Sequence, residues 1–177
     1  MTDIEPGPDV SARLAWPDDA DAIARLQIAA WRQAYPAAVE TPEAAELSER
    51  WNALISRPPE AKVRVIVAVE RADVRAFALV HPSSDPDADV RADAEIAELA
   101  VDPDQLGAGH GSRLMHAVAD TLRADGFTRA VWWLDTTDDV RRRWATDAGW
   151  GTDGAHRELE SDDGTRLKQV RLHTALA

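Results

Sequence analysis

Cysteine is absent from the sequence, and this absence removes several kinds of chemistry at once. Without thiols the chain has no disulfides, no thiolate nucleophile and no thiolate metal ligands. The five histidines show no spacing typical of a metal site, so we expect no metal cofactor. Any chemistry must therefore use other groups.

Long apolar runs are also missing, because none approaches the roughly 18 residues that indicate a membrane-spanning helix. Residues 1–10 contain acids and prolines but lack the basic start and apolar stretch of a secretory signal. We therefore expect a disordered lead over residues 1–10, no membrane partner and a cytoplasmic location.

Basic residues are few relative to acidic ones, since 20 Lys and Arg stand against 32 Asp and Glu, for a formal net charge of −12. Charge of this sign opposes nucleic acid phosphates and anionic membranes, and it attracts cationic substrates such as amines. We therefore expect no nucleic acid partner and a positively charged substrate. The alternative is that the charge only keeps the protein soluble.

The remaining composition, 45% apolar and 29% charged, is that of an ordinary globular protein. A chain of 177 residues can bury one continuous core, so we predict a single domain over residues 11–177. Most of the tryptophans fall on predicted helix or strand faces, which favours core packing over an aromatic cage for a cation.

Apolar periodicity and turn residues predict strands and helices in the order β-α-α-β-β-β-α-β-α-β-β. The predicted strands are Ala12–Trp16, Lys62–Glu70, Val74–Val80, Glu95–Val101, Arg129–Asp135, Ala155–Leu159 and Thr165–His173. The predicted helices run from Asp18 or Asp19 to about Tyr35, from an N-cap at Thr41 with Pro42 first in the helix to Pro58, from the glycines at 107–111 to Gly126, and from Asp138 or Asp139 to about Ala148. On the first helix Ile23, Leu26, Ala30 and Ala34 share one face, and His81–Asp93 is predicted to be an exposed loop. The helix between the strands at 95–101 and 129–135 implies that these two strands pair parallel.

Three glycines alternate in Gly107-Ala108-Gly109-His110-Gly111, between a predicted strand and a predicted helix. Such a segment turns tightly and directs main-chain N–H groups outward at a helix N-terminus, which favours a pyrophosphate ligand. A dinucleotide fingerprint needs glycine where Ser112 stands, and the Gly-Lys pair of a phosphate loop is missing, so neither NAD nor ATP is favoured. The alternative is a connector that binds nothing.

The strand, proline, glycine spacing and helix over Glu95–Pro103 and Gly107–Leu114 together resemble the central strand, pyrophosphate turn and helix start of the GNAT (Gcn5-related) N-acetyltransferases. Weaker similarity extends to Ala30–Tyr35, like the end of the family's first helix, and to Arg142–Trp150, like a later helix and turn. The resemblance implies an α/β fold with a mixed, mostly antiparallel central sheet flanked by helices, and with a parallel β-α-β unit at the glycine turn.

The resemblance also implies acetyl-CoA as the acyl donor. Its pantetheine arm would lie along Leu99, Ala100 and Val101, and its pyrophosphate on the main chain of the turn, at Leu106, Gly107, Ala108, Gly109, His110, Gly111 and Ser112. Asp138 stands where the family often has Asn. Arg141 and the two arginines after it either reach the 3′-phosphate of CoA or are a solvated helix surface.

Two positions depart from the family pattern. Leu106 stands where the turn usually begins with Arg or Gln, and Ala145 stands where the family has the tyrosine that reprotonates the CoA thiolate. Main-chain amides supply most of the pyrophosphate pocket, so binding should survive the first change. With Ala145 in place of the tyrosine, the proton must come from water, from the amine product or from Tyr35. The alternative for Tyr35 is that its ring packs against the protein while its hydroxyl lies in water.

Direct acyl transfer needs a neutral amine, a base and a donor for the developing oxyanion. The resemblance gives the oxyanion donor as a main-chain N–H near Ala100 or Val101. It gives the base as Glu95, and Glu98, three residues further on, is a second candidate. Either glutamate could equally be a solvated strand residue or an ion-pair partner. In a regular strand the two would face opposite ways.

These features predict an N-acetyltransferase that moves an acetyl group to a primary amine of a small molecule or peptide in a ternary complex. The alternative is an acyl-CoA-binding sensor or scaffold without turnover, and a more distant one is an α/β domain whose glycine turn is structural. A homodimer is common in the family, and no residue of this sequence decides that point.

Overall fold

The computed structural model describes residues 9–36, 42–162 and 164–176, and over these residues the predicted order of elements is confirmed. The strands are Val10–Leu14 (β1), Arg64–Glu70 (β2), Asp73–Pro82 (β3), Asp93–Val101 (β4), Arg129–Asp135 (β5), Gly151–Glu160 (β6) and Arg166–Ala175 (β7). The helices are Ala20–Ala34 (α1), Ala44–Ser56 (α2), His110–Ala124 (α3) and Asp139–Asp147 (α4), and two short 3₁₀ turns lie at Pro17–Asp19 and Pro103–Gln105.

The strands form a mixed sheet with the order β1-β2-β3-β4-β5-β7-β6. β1 pairs with β2, β2 with β3, β5 with β7 and β6 with β7 in antiparallel fashion, whereas β4 and β5 pair parallel through the α3 crossover. The fold is therefore the predicted α/β class, with a mostly antiparallel sheet and one parallel β-α-β unit.

Two compact units can be distinguished among the described residues. One comprises the chain up to Val80 together with Glu98–Asp120, and the other comprises His81–Ala97 and the chain from Thr121 onward. The single domain over residues 11–177 stays a prediction, and residues 1–8 of the predicted lead lie outside the described residues.

The first unit has a core in which α1 and α2 bury their apolar faces against β2 and β3. Ile23 of α1, Val67 of β2 and Phe77 of β3 are completely buried, and Trp51 of α2 meets the Phe77 ring edge-on with 5.2 Å between centroids. Burial of a large apolar side chain stabilises the fold by roughly 1.5–3 kcal/mol. The predicted apolar face of α1 is confirmed at Ile23 and Leu26, but Ala34 at the end of the helix is exposed. On α2 the buried residues are Leu47 and Trp51.

The second unit has an aromatic centre. Trp132 of β5 packs edge-on against Trp144 and Trp150, with 6.0 Å between ring centroids in each pair, and Trp132 and Trp150 are buried. For these three residues the packing interpretation is confirmed.

A buried arginine ties the 83–92 segment to β7 within this unit. Arg171 donates to Asp85 at 3.0 Å, to both oxygens of Asp87 at 2.7 Å and to Asp153 at 2.8 Å. The indole N–H of Trp133 also donates to Asp85 at 3.1 Å. The segment predicted as an exposed loop is therefore anchored at its start, where Ser83 is also buried.

Several boundaries differ from the sequence prediction. β1 lies two residues earlier than expected, and Asp19 does not cap α1 with its side chain, because its carboxylate accepts from Trp16 N and Arg13 instead. α2 begins at Ala44 after an N-cap at Glu43, so Pro42 lies outside the helix, and the predicted cap at Thr41 lies outside the described residues. β6 starts at Gly151 because its ladder with β7 extends to the Gly151–His173 pair.

No helix of the described chain has the length and apolar character needed to cross a bilayer.

Candidate functional site

The end of β4 is fixed to β3 before the glycine turn begins. Asp102 N donates to the Arg75 carbonyl at 2.7 Å, and the Arg75 guanidinium lies 3.3 Å from Asp102 Oδ2. The other carboxylate oxygen of Asp102 accepts from Asp104 N at 3.0 Å and so caps the 3₁₀ turn at Pro103–Gln105. These bonds set the direction in which the chain leaves the sheet.

The glycine turn has the backbone conformation that its sequence predicts. Gly107 and Gly109 have φ angles of +81° and +85°, a region that side-chain-bearing residues rarely adopt. A Cβ built at either position would meet no atom within 4 Å. Glycine is therefore required here by the backbone conformation and not by lack of space.

The turn leads directly into the N-terminus of α3, where Arg113 N donates to the Gly109 carbonyl at 3.0 Å. Helix geometry leaves the N–H groups of His110, Gly111 and Ser112 without acceptors inside the helix. Residues 106–109 and Ser112 are exposed to solvent. The arrangement presents main-chain donors and the positive end of a helix dipole, which together suit an anion.

The side chain of His110 is buried, unlike the exposed turn residues before it. It is 1% exposed, with Nδ1 3.3 Å from the Arg113 guanidinium, and none of the described residues hydrogen-bonds Nε2. Only the main chain of His110 is therefore placed to contact a ligand at the turn.

The three predicted pantetheine residues lie at the carboxyl end of β4. Leu99 and Ala100 are buried and Val101 is half-buried. The parallel register with β5 covers Asp93–Ile96, so these three residues lie beyond it.

Glu98 is half-buried and belongs to a hydrogen-bond chain inside the first unit. The Gln27 side-chain amide donates to Glu98 Oε1, and the Gln27 oxygen accepts from Trp51 Nε1 at 2.8 Å. Sequence reasoning missed Gln27. The signal was available, because Gln27 is a polar residue four positions after Ile23 on the apolar face of α1.

Glu95 is 7% exposed and lies in the parallel ladder opposite Val131. None of the described residues hydrogen-bonds its Oε2 atom. A buried carboxylate oxygen without a protein donor is costly, so Glu95 is the less solvated of the two candidate bases.

Tyr35 is the C-cap residue of α1, where its N–H donates to the Trp31 carbonyl at 2.7 Å. It is 41% exposed. The role of Tyr35 as a proton donor stays a prediction.

Asp138 and Arg141 are engaged with each other at the start of α4. Asp138 caps the helix by accepting from Arg141 N at 2.9 Å, and its other oxygen lies 3.4 Å from Arg141 Nε. The Arg141 guanidinium lies 5.9 Å from the centre of the Trp132 ring. Ala145, further along the helix, is completely buried.

Comparison with known proteins assigns this fold and turn to a family. The sequence model of the acetyltransferase (GNAT) family matches residues 22–146. The chain belongs to the GNAT acetyltransferase family. No curated protein sequence matches it significantly.

Solved structures of several acetyltransferases share the fold. One is yncA, a putative acetyltransferase from Salmonella typhimurium solved with its cofactor acetyl-CoA, with a TM-score of 0.71, 18% identity and coverage of 95% of this chain and 94% of that one. An N-acetyltransferase from Staphylococcus aureus Mu50 gives a TM-score of 0.73 at 15% identity, covering 96% and 99%. The ribosomal-protein-S18-alanine N-acetyltransferase from Escherichia coli gives 0.67 at 14% identity, covering 95% and 94%.

Proposed function

We propose that this GNAT family member is an acetyl-CoA-dependent N-acetyltransferase that acts on a primary amine of a small molecule or peptide. The observation that carries the proposal is the solvent-exposed turn at Gly107 and Gly109, which leads into the N-terminus of α3 in a chain of this family. A cationic acceptor and a cytoplasmic location are parts of the same proposal, and the net charge of −12 supports the first.

The residues of the turn fit the pyrophosphate of CoA. Its two negative charges would meet the main-chain donors of Gly107–Ser112 and the positive end of α3. The exposure of residues 106–109 leaves room for such a group. Leu99, Ala100 and Val101 would bind the pantetheine arm, and Asp138 and Arg141 would contact the cofactor from α4. When bound, acetyl-CoA supplies an acetyl group activated as a thioester.

The remaining chemistry falls to side chains and main chain of this protein. Glu98 or Glu95 would remove a proton from the acceptor amine, because a partly buried carboxylate is suited to that task. A main-chain N–H near Ala100 or Val101 would stabilise negative charge on the reacting carbonyl oxygen. Tyr35 would return a proton to the leaving group.

Calorimetric titration of acetyl-CoA into wild type and Gly109→Ala tests the cofactor site. A Cβ at φ +85° costs about 1–2 kcal/mol, so the turn should reorganise and affinity should fall by roughly tenfold or more. Gly151→Ala is the matched control, because Gly151 lies outside the positive-φ region and also has open space around it. Equal affinity in all three proteins would contradict a pyrophosphate at this turn.

Turnover is tested by release of CoA thiol when a panel of amines is added with acetyl-CoA. Thiol release that depends on the amine is expected, with cationic amines giving the higher rates. Cofactor binding without thiol release for any amine would instead favour the alternative function, an acyl-CoA-binding sensor or scaffold. The observation that favours this alternative is Ala145, a buried methyl group where the family has a tyrosine hydroxyl.

A further inference from the structure

Gln27 is an uncharged polar residue in the core of the first unit, and its burial needs an explanation. It is 3% exposed and lies on α1 among the buried residues Ala24, Leu26 and Ile28. Burial of a primary amide is unfavourable unless its oxygen and nitrogen both find partners. Trp51 of α2 and Glu98 of β4 provide those partners.

The chemistry of the three side chains fixes which way the Gln27 amide points. The indole N–H of Trp51 can only donate, so the group that faces it at 2.8 Å must be the Gln27 oxygen. The Gln27 NH₂ group therefore faces Glu98 Oε1. A flipped amide would place two donors together at Trp51 and two oxygens together at Glu98.

Trp51 is itself packed in the core, which restricts the rotation of its ring. Its ring is 5% exposed and packs edge-on against Phe77, with 5.2 Å between centroids and 71° between ring planes. A rotation that broke the bond to Gln27 would also disrupt this contact. The packing of Trp51 therefore fixes the orientation of the Gln27 amide, which donates to the half-buried carboxylate of Glu98.

We propose that Gln27, oriented by Trp51, is a positioning residue that holds Glu98 as the proton acceptor of the reaction. This inference rests on the proposed function and selects Glu98 over Glu95. The Gln27 side-chain amide donates to Oε1 and so holds the carboxylate of Glu98, which takes the proton from the acceptor amine. The hydrogen bond from the Gln27 side chain also stabilises the carboxylate form of Glu98 over its protonated form.

The decisive variant is Gln27→Met combined with Trp51→Phe. It removes the Gln27 donor to Glu98 and, because Gln27 and Trp51 change together, leaves no unpaired amide or indole group in the core. The kcat/KM should fall about tenfold, as expected for loss of a hydrogen bond to a charged group, with most of the change in kcat. The acid limb of the pH profile should move to higher pH, because the carboxylate has lost a stabilising donor. Gln33→Met, an exposed position on the same helix, is the matched control and should match wild type.

A double-mutant cycle with Glu98→Gln tests whether Gln27 acts through Glu98. If it does, adding the Gln27→Met and Trp51→Phe changes to Glu98→Gln causes no further loss of kcat/KM. An equal loss in both backgrounds would overturn the proposal and leave Gln27 as a packing residue. No loss in Glu98→Gln alone would overturn it as well.

A pH titration of the Glu98 carboxyl carbon by NMR needs no turnover and separates this inference from the proposed function. Its midpoint should lie at higher pH in the double variant than in wild type. An unchanged midpoint would overturn the role of Gln27 whether or not the protein turns over. A shifted midpoint in a protein that releases no thiol with any amine would support the bond and contradict the acetyltransferase activity.

Discussion

At the residue scale, Arg171 shows how a charged side chain is accommodated in a largely buried position. Three aspartates, Asp85, Asp87 and Asp153, surround its guanidinium, and its own side chain is 8% exposed. Hydrogen bonds from Arg171 lower the pKa of Asp87 to about 2. Burial would raise the pKa of Asp153, but the bonds from Ala155 N and Arg171 outweigh it and lower that pKa as well.

The ion pair between Asp87 and Arg171 should stabilise the fold to an extent that depends on pH. The pKa of Asp87 is depressed from 3.8 to about 2, so this stabilisation is complete above pH 3.8 and is lost as the pH falls towards 2. Asp87→Asn should therefore lower the melting temperature at neutral pH. The difference in melting temperature between this variant and wild type should disappear as the pH falls from 3.8 to about 2. Thermal melts from pH 7 down to about pH 2 measure this. Asp147→Asn, an exposed position on α4, controls for the loss of one negative charge. A gap that stayed constant with pH would contradict the assignment.

At the element scale, α4 begins at a residue whose side chain has two candidate tasks. Asp138 caps the helix at 2.9 Å from Arg141 N, and the family resemblance also predicts that it contacts CoA. An N-cap side chain supplies an acceptor to an N–H group that the helix leaves unpaired. Asparagine performs this task as well as aspartate, which agrees with its frequent use at this position of the family.

Variants of Asp138 separate the two tasks. Asp138→Ala should lower the free energy of unfolding by about 1 kcal/mol, whereas Asp138→Asn should leave it nearly unchanged. Urea denaturation gives these values, and calorimetric titration of acetyl-CoA gives the affinity of each variant. Asp139→Ala, whose carboxylate is 81% exposed in the same first turn, is the matched control. A loss of affinity in Asp138→Ala beyond its effect on stability would support cofactor contact. Equal stability of Asp138→Ala and Asp139→Ala would contradict the cap.

At the scale of the whole molecule, the formal net charge of −12 sets the long-range field that a substrate meets. Such a field raises the encounter rate of a cation and is screened beyond a Debye length of about 10 Å at 0.1 M salt. The proposal of a cationic acceptor rests on this attraction between the negatively charged protein and a positively charged amine.

The field predicts a salt dependence that differs between acceptors. For an amine with two positive charges, kcat/KM should fall several-fold between low salt and about 0.2 M, because screening weakens the attraction. An aromatic amine that is neutral at the assay pH is the control and should change little. Initial rates at several ionic strengths test this. The same salt response for both acceptors would mean that the charge serves solubility alone.

The sequence by itself determined the features that depend on neighbours along the chain. Residues 129–135 were predicted as a strand with the bounds that β5 has. The alternate glycines predicted a tight turn, in which Gly107 and Gly109 have positive φ angles because glycine adopts that region at little cost. Leu114, Val118 and Leu122 share a buried face of α3 because helix period is local.

Only the tertiary structure decided which distant side chains meet. Gln27 and Glu98 are separated by 71 residues, and Arg171 and Asp85 by 86, so no local pattern could pair them. The same holds for the start of β6, which extends back to Gly151 because β7 offers a partner there. Local periodicity specifies an element and its faces, whereas the contacts that orient Glu98 exist only once helices and strands are packed.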